Sequence, residues 1–403
     1  MKPQDSIRAQ LAALSDGLAR AERTLKSAAI EPGLYARVQA RFERDLTQLR
    51  RRIEALRPGV AGEPVALEAS WREFGRLQRD ANRMIEECLA LVHGGLARRA
   101  GIDNGICALT DALLDDLAAW SDVPWGRFTL LATSEFFRDT AEIIRVRYPG
   151  TSLWAMPFAA HEFGHFLGPQ LRRSGEGDFE YPFQEELRKA DESRGEHVHG
   201  RDWYHLQECF ADVLATWTLG PAFAAAFVTL RSSALGAHAE TDTHPASAKR
   251  VHAMLTVLGM LANRDGGLPN RSLEAVAQRI SEAWRAALRL AGQPEEIAAP
   301  SAGLVGGRVT RLVGLLTELT PPRLALDRAG WARAETLAES FLGAAANPAH
   351  EAPPTLPDGT SRRDILNAAW YARVHLDDPT PIAVNTIEDR ALAAYRMVPP
   401  RVG

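Results

Sequence analysis

Cysteine is scarce: Cys88, Cys107 and Cys209 are the only three in 403 residues, and they stand far apart. That spacing excludes a disulfide framework and a cysteine-rich metal site, and it points to a reducing compartment. Lysine is rarer than arginine by a wide margin, confined to Lys2, Lys26, Lys189 and Lys249, which reflects overall composition and carries no functional implication. With a formal net charge of −4 and no cluster of basic residues, nothing marks a nucleic-acid binder. The opening "MKPQDSIRAQ" lacks an apolar segment, so no secretory signal is expected. Long hydrophobic runs are also missing, with one exception. "VLATWTLGPAFAAAFVTL" (213–230) is uncharged and near membrane-spanning length, but Gly220-Pro221 cuts it in two. Two short buried helices are expected there. The expectation is therefore a soluble, cytoplasmic protein with no membrane span.

What is present is apolar periodicity. Hydrophobic residues make up 46% of the chain, enough for two or three domains with a sizeable core. Ile7, Leu11, Leu14, Leu18 and Leu25 share one helix face, and Leu34, Val38, Phe42, Leu46, Leu49, Ile53 and Leu56 share another, with "EPG" (31–33) between them. Residues 1–57 thus read as a helical hairpin resembling an antiparallel coiled coil. It is either an arm packed on its own domain or a docking surface for a protein partner. "PGVAGEPV" (58–65) is a linker. Trp71, Phe74, Leu77, Met84 and Cys88 predict a helix, a second runs from about Asn104 to Trp120, and "FTLLAT" (128–133) predicts a short strand. A helix is predicted from Ser134 through Phe137, Ala141, Ile144 and Val146 to "YPG" at 148–150. Charged, glycine-containing residues 172–201 predict a long mobile loop over the site. Helices are predicted at 204–220 and 245–262, with four or five more beyond 263.

The chemistry concentrates in "PFAAHEFGHFLG" (157–168). Positions i and i+4 of a helix share a face, so His161 and His165 can reach one metal ion. Glu162, beside them, can work on a water held there. This is H-E-x-x-H, a zinc-hydrolase pattern. A catalytic zinc takes a third protein ligand and leaves one position open. The continuation H-x-x-G-x-x-H fails, because Leu171 stands where its last histidine belongs. Glu208 in "ECFAD" is the better third ligand. It lies on a later helix with Asp212 four residues on, and the flanking residues are apolar, so a solvated face is excluded. Asp212 is suited to orienting a ligand histidine from behind. His197, His199 and His205 read as solvated histidines, with His205, three residues before Glu208, the one placed to compete for the metal, and Cys209 reads as a small buried residue. Tyr181 or Tyr204 could donate to an oxyanion, though no spacing selects either.

"HEFGH", "ECFAD" and "THPASAKR" (243–250), in this order, resemble the three signatures of the gluzincin peptidases related to HtpX and the CAAX prenyl proteases. The resemblance spans residues 157–251. It implies Zn2+ held by His161, His165 and Glu208, with Glu162 as general base. It further implies that His244 and Arg250, in the H-P-x-x-x-x-R spacing, help to bind substrate or transition state. Members of that family often span membranes, and this chain shows no such spans. The expected fold is mainly α: a zincin-like core over 66–262 with few or no short strands, flanked by the hairpin and by a helical region at 263–403. The expected activity is hydrolysis of a protein or peptide substrate. Alternatives are a regulated protease with one partner substrate in a bacterial stress or defence pathway, and a non-catalytic helical scaffold.

Overall fold

Both apolar stripes of the first segment form helices, α1 (Pro3–Ser27) and α2 (Pro32–Leu56). The computed structural model describes residues 3–27, 32–56, 64–124, 129–132, 136–138, 143–147, 152–174, 179–191, 200–264, 269–347, 354–377 and 379–399. A third helix, α3 (Pro64–Arg99), packs on both α1 and α2. Ile7, Leu11 and Leu18 of α1, Phe42, Leu46 and Ile53 of α2, and Phe74, Leu77 and Ala81 of α3 join one buried cluster. The hairpin is therefore two members of a three-helix packing, and the described part of its apolar stripes is buried against α3. Arg52 reaches across from α2 to Glu73 (2.8 Å) and Asp80 (2.7 Å) on α3. Such exposed pairs fix register more than they add stability. Most of the linker 58–65 lies outside the described residues.

The helix expected from about Asn104 is α4 (Ile106–Ser121), and the predicted strand is β1 (Thr129–Ala132). The predicted helix after it is instead two strands, β2 (Phe136–Arg138) and β3 (Ile143–Arg147). Their order is β1-β3-β2, with β3 parallel to β1 and antiparallel to β2. "IIRVR" is β-branched at three of five positions, and β1 supplies a partner edge, so a period of two prevails over 3.6. Ser134 and the "YPG" break fall outside the described residues.

By contacts the chain divides into Met1–Cys107 with Arg127–Pro149, and Ala108–Gly126 with Gly150–Gly403. These boundaries differ from the expected ones at 66 and 263. The last hundred residues are tied back into the second unit by side-chain bonds, such as Ala222 N–H to Asn367 Oδ1 (3.1 Å) and Arg362 Nη1 to Asp116 (3.0 Å).

In that second unit α7 (Arg201–Leu219) is central: α5 (Phe158–Leu167), α6 (Pro182–Asp191), α8 (Pro221–Leu230), α9 (Ser247–Ala262) and α11 (Ala299–Leu319) all pack on it. Every residue from Cys209 to Leu219 is buried. The apolar run 213–230 breaks at Gly220, whose φ of 58° suits glycine, and Pro221 starts α8. No helix among the described residues is long and apolar enough to cross a membrane. Beyond α9 come α10 (Arg271–Leu290), α11, α12 (Arg328–Ala346), α13 (Arg362–Val374) and α14 (Pro381–Met397).

The expected loop at 172–201 is corrected in part. Arg173–Ser174 and Phe179–Glu180 pair as the two-residue strands β4 and β5, and α6 follows. Phe183 and Leu187, four apart, are the buried face of α6, and the Phe183 ring packs 4.3 Å from that of Phe210 on α7. Two apolar positions in ten residues were too sparse a signal against the surrounding charge. Residues 192–199, with His197 and His199, lie outside the described residues.

Candidate metal centre

Helix α5 begins after Pro157 and carries His161 and His165 one turn apart, their rings 4.9 Å from each other. A glycine within a helix costs about 1 kcal/mol relative to alanine, so Gly164 needs a reason. A Cβ there would lie 2.7 Å from Ala211 Cα on α7. Gly164 thus lets α5 and α7 approach closely enough for Glu208 to face both histidines. Nothing in the H-E-x-x-H pattern itself specifies this residue.

The three side chains converge. His165 Nε2 is 3.3 Å from His161 Nε2 and 3.4 Å from Glu208 Oε1, and His161 Nε2 is 3.5 Å from Glu208 Oε2. Bonds of about 2.0 Å in a tetrahedral arrangement space their donors by about 3.3 Å. The two imidazole nitrogens and the Glu208 carboxylate, which meets His165 through Oε1 and His161 through Oε2, therefore approach one another at the donor spacing of a zinc coordination tetrahedron. Glu208 Oε2 is buried and forms no hydrogen bond, although His161 and Arg250 lie within ion-pair range. A buried carboxylate oxygen left in that state is costly unless a cation meets it. These three residues are the one group among the described residues able to hold a metal ion.

Asp212, one turn after Glu208 and 1% exposed, stands behind the site with Oδ1 3.0 Å from His161 Nδ1. The two are within ion-pair distance, and Nδ1 is otherwise buried without a hydrogen bond. The contact leaves Nε2 as the nitrogen facing His165 and Glu208. The His161 ring is stacked on Phe223 of α8, which limits its rotation.

Arg250 supplies the counter-charge. Its Nε and Nη2 each donate to Asp212 at 2.7 Å, its Nη1 lies 3.3 Å from Glu208 Oε2, and its guanidinium sits over the Phe227 ring. It is neither a surface charge nor a free donor facing a substrate: the fork is occupied by two carboxylates. His244 departs from it. Its side chain is 55% exposed, with Nδ1 bonded to Thr243 Oγ1 (2.8 Å) and Nε2 3.7 Å from Glu208 Oε1. The expected pair thus splits into one buried cation and one histidine at the surface. Neither caps α9, whose N-cap is Ala246. His205 is not a competing ligand: its Nε2 meets the Thr241 carbonyl (2.8 Å), and Thr241 Oγ1 accepts from the His244 amide (2.9 Å). It anchors the turn that carries His244. Glu162 is half-buried on α5, and its field reaches Arg250.

The cluster holds two carboxylates against one guanidinium, so it lacks one positive charge while its imidazoles are neutral. Burial alone would lower His161, but Asp212 and Glu208 outweigh it and raise its pKa to about 10. Burial likewise opposes the charge of Glu208, yet Arg250 and the two histidines hold it well below the usual carboxylate range. Asp212 is lowered against the same burial penalty, chiefly by Arg250. The field that favours a proton on His161 equally favours a dication at its Nε2. Cys209 is not among the residues whose donor atoms converge, and burial pushes its thiol up to about 12. Tyr181 is exposed and Tyr204 half-buried, and nothing in the geometry favours either as a donor.

Comparison with protein-family models, with curated proteins and with solved structures finds no match to this chain.

Proposed function

We propose that this protein is a zinc-dependent peptide hydrolase whose metal is held by His161, His165 and Glu208. The observation that carries this reading is the convergence of His161 Nε2 and His165 Nε2, 3.3 Å apart, on the two oxygens of the Glu208 carboxylate at 3.5 and 3.4 Å, with Asp212 behind one ligand. The motif resemblance from "HEFGH" to "THPASAKR" points the same way. Zinc bound there supplies a Lewis acid that makes water a nucleophile near neutral pH. Glu162 accepts the proton of the attacking water and returns it to the leaving amine. Asp212 fixes the ring orientation of His161, and Arg250 holds Asp212 and Glu208 in place, so both are positioning residues. His244, exposed beside Glu208, is the group that donates to the developing oxyanion.

The test has two readouts. Elemental analysis of the purified chain is expected to give one zinc per chain, and His161→Ala or Glu208→Ala to lose it. Full zinc retention in either variant removes that residue from the ligand set. A search for new protein N-termini, comparing wild type with Glu162→Gln, then tests hydrolysis and names the substrate. No difference between the two would sink the peptidase reading while leaving metal binding intact.

A further inference from the structure

A cavity of about 330 Å³ lies among α7, α9 and α11, close to the candidate metal centre but not made by its ligands. Asp212 and Arg250 are in its wall; His161, His165 and Glu208 are not. Its wall carries four cations, Arg201, Lys249, Arg250 and Arg308, against the three carboxylates Asp202, Asp212 and Glu240. Two of these cations share one partner, since Glu240 pairs with Arg201 and with Lys249 at 2.7 Å. Arg250 is taken by Asp212. Arg308 remains: it has no ion pair or hydrogen bond among the described residues, although its field reaches His205 and Cys209. The other part of the wall is apolar, formed by Pro245, Ala253, Val305 and Leu304. Leu304 is 77% exposed, a large apolar side chain left open at the rim.

A cavity of this size, partly apolar with an uncompensated guanidinium, fits a small molecule with one anionic end. A guanidinium fork pairs bidentately with carboxylate or phosphate, and a partly apolar wall with a single surplus positive charge favours the singly charged carboxylate. We propose that the cavity binds a small organic carboxylate. The carboxylate pairs with Arg308, and the apolar body lies on Leu304, Val305 and Ala253. Arg201 and Lys249 contribute less, because Glu240 already neutralises one of them. The ligand is either a free organic acid or the C-terminal carboxylate of a peptide; both present the same group. The inference rests on the cavity wall and does not depend on zinc.

Calorimetric titration of the full chain, with a chelator present to keep the metal centre from binding the probe, separates the two sites. The probes are hexanoate, N-acetyl-leucine and N-acetyl-leucine amide. At least one of the two acids should bind, and the amide should not. N-acetyl-leucine alone assigns a peptide C-terminus, hexanoate alone a free acid. Arg308→Gln should weaken the bound acid by about tenfold or more, the loss of one charge-assisted pair, and Arg308→Lys should restore part of it. Equal binding of acid and amide, no binding by either acid, or an Arg308→Gln variant that binds like wild type would each overturn the proposal.

Discussion

Two buried charge clusters in the second unit look alike in composition and differ in how their charges are met. At the start of α13, Arg362 pairs with Asp116 (3.0 Å), and its Nη2 donates to the carbonyls of Val398 (2.9 Å) and Pro399 (3.1 Å). Arg363 donates to the Leu324 carbonyl (3.0 Å) and lies over the Trp120 ring. Asp364 completes a capping box with Ser361 and accepts from Arg333 (2.8 Å). Surplus positive charge there is met largely by backbone carbonyls, although Arg362 Nε, Arg363 Nε and Asp364 Oδ1 are buried without a hydrogen bond, and the cluster staples distant segments together. The candidate metal centre has the opposite surplus. No backbone N–H among the described residues donates to Glu208 or Asp212; two imidazoles face them instead. Both clusters keep buried polar atoms without a hydrogen bond, so what sets the candidate metal centre apart is its surplus of negative charge and the convergence of donor atoms from three residues.

The largest expected effect is catalytic. Glu162→Gln should cut peptide turnover by about 10²–10⁴, the usual contribution of a positioned general base, with zinc content and melting temperature unchanged. If turnover survives in this variant, the metal cluster is as structural as the one at α13. Next, Asp116→Ala strands Arg362 in the interior and should cost about 3–5 kcal/mol in urea unfolding, as for a broken buried pair. Its folded fraction should keep full zinc; loss of metal there would blur the distinction. In the metal centre, Asp212→Asn should weaken zinc by about 10–100-fold in a competition with a chelator, the range for partners of metal-ligating histidines. The smallest effect is a titration beside α13. Burial lowers the His375 pKa from its ordinary 6.5, against the bond to the Tyr371 carbonyl. The unfolded chain then binds that proton more readily, so this stability is present above about pH 6.5 and is lost as pH falls through the folded value. His375→Gln should flatten the fall in stability between neutral and acid pH, and an unchanged profile would show that His375 plays no part in it.

Much of the site was legible because helical spacing is local. H-E-x-x-H puts His161 and His165 on one face whatever surrounds them, and Glu208 with Asp212 does the same one helix later. The apolar context of "ECFAD" already required partners for those carboxylates. The hairpin stripes, β1 and the break at Gly220-Pro221 were equally plain. The strands β2 and β3 were not, since a short apolar segment fits both periods until a partner edge exists. Helix α6 was hidden because only Phe183 and Leu187 anchor it.

The sequence by itself therefore determined which residue types could meet a metal and which faces would be buried. Only the tertiary structure decided their assignments. It placed Arg250 against Asp212 and Glu208 instead of in the open, and it turned His205 towards the Thr241 carbonyl instead of towards the histidines. It covered the N-terminal stripes with α3 and let Gly164 bring α7 within reach of α5. The reason is that periodicity fixes directions about one helix axis, while a charge takes its role from whichever counter-charge another helix brings within a few ångströms.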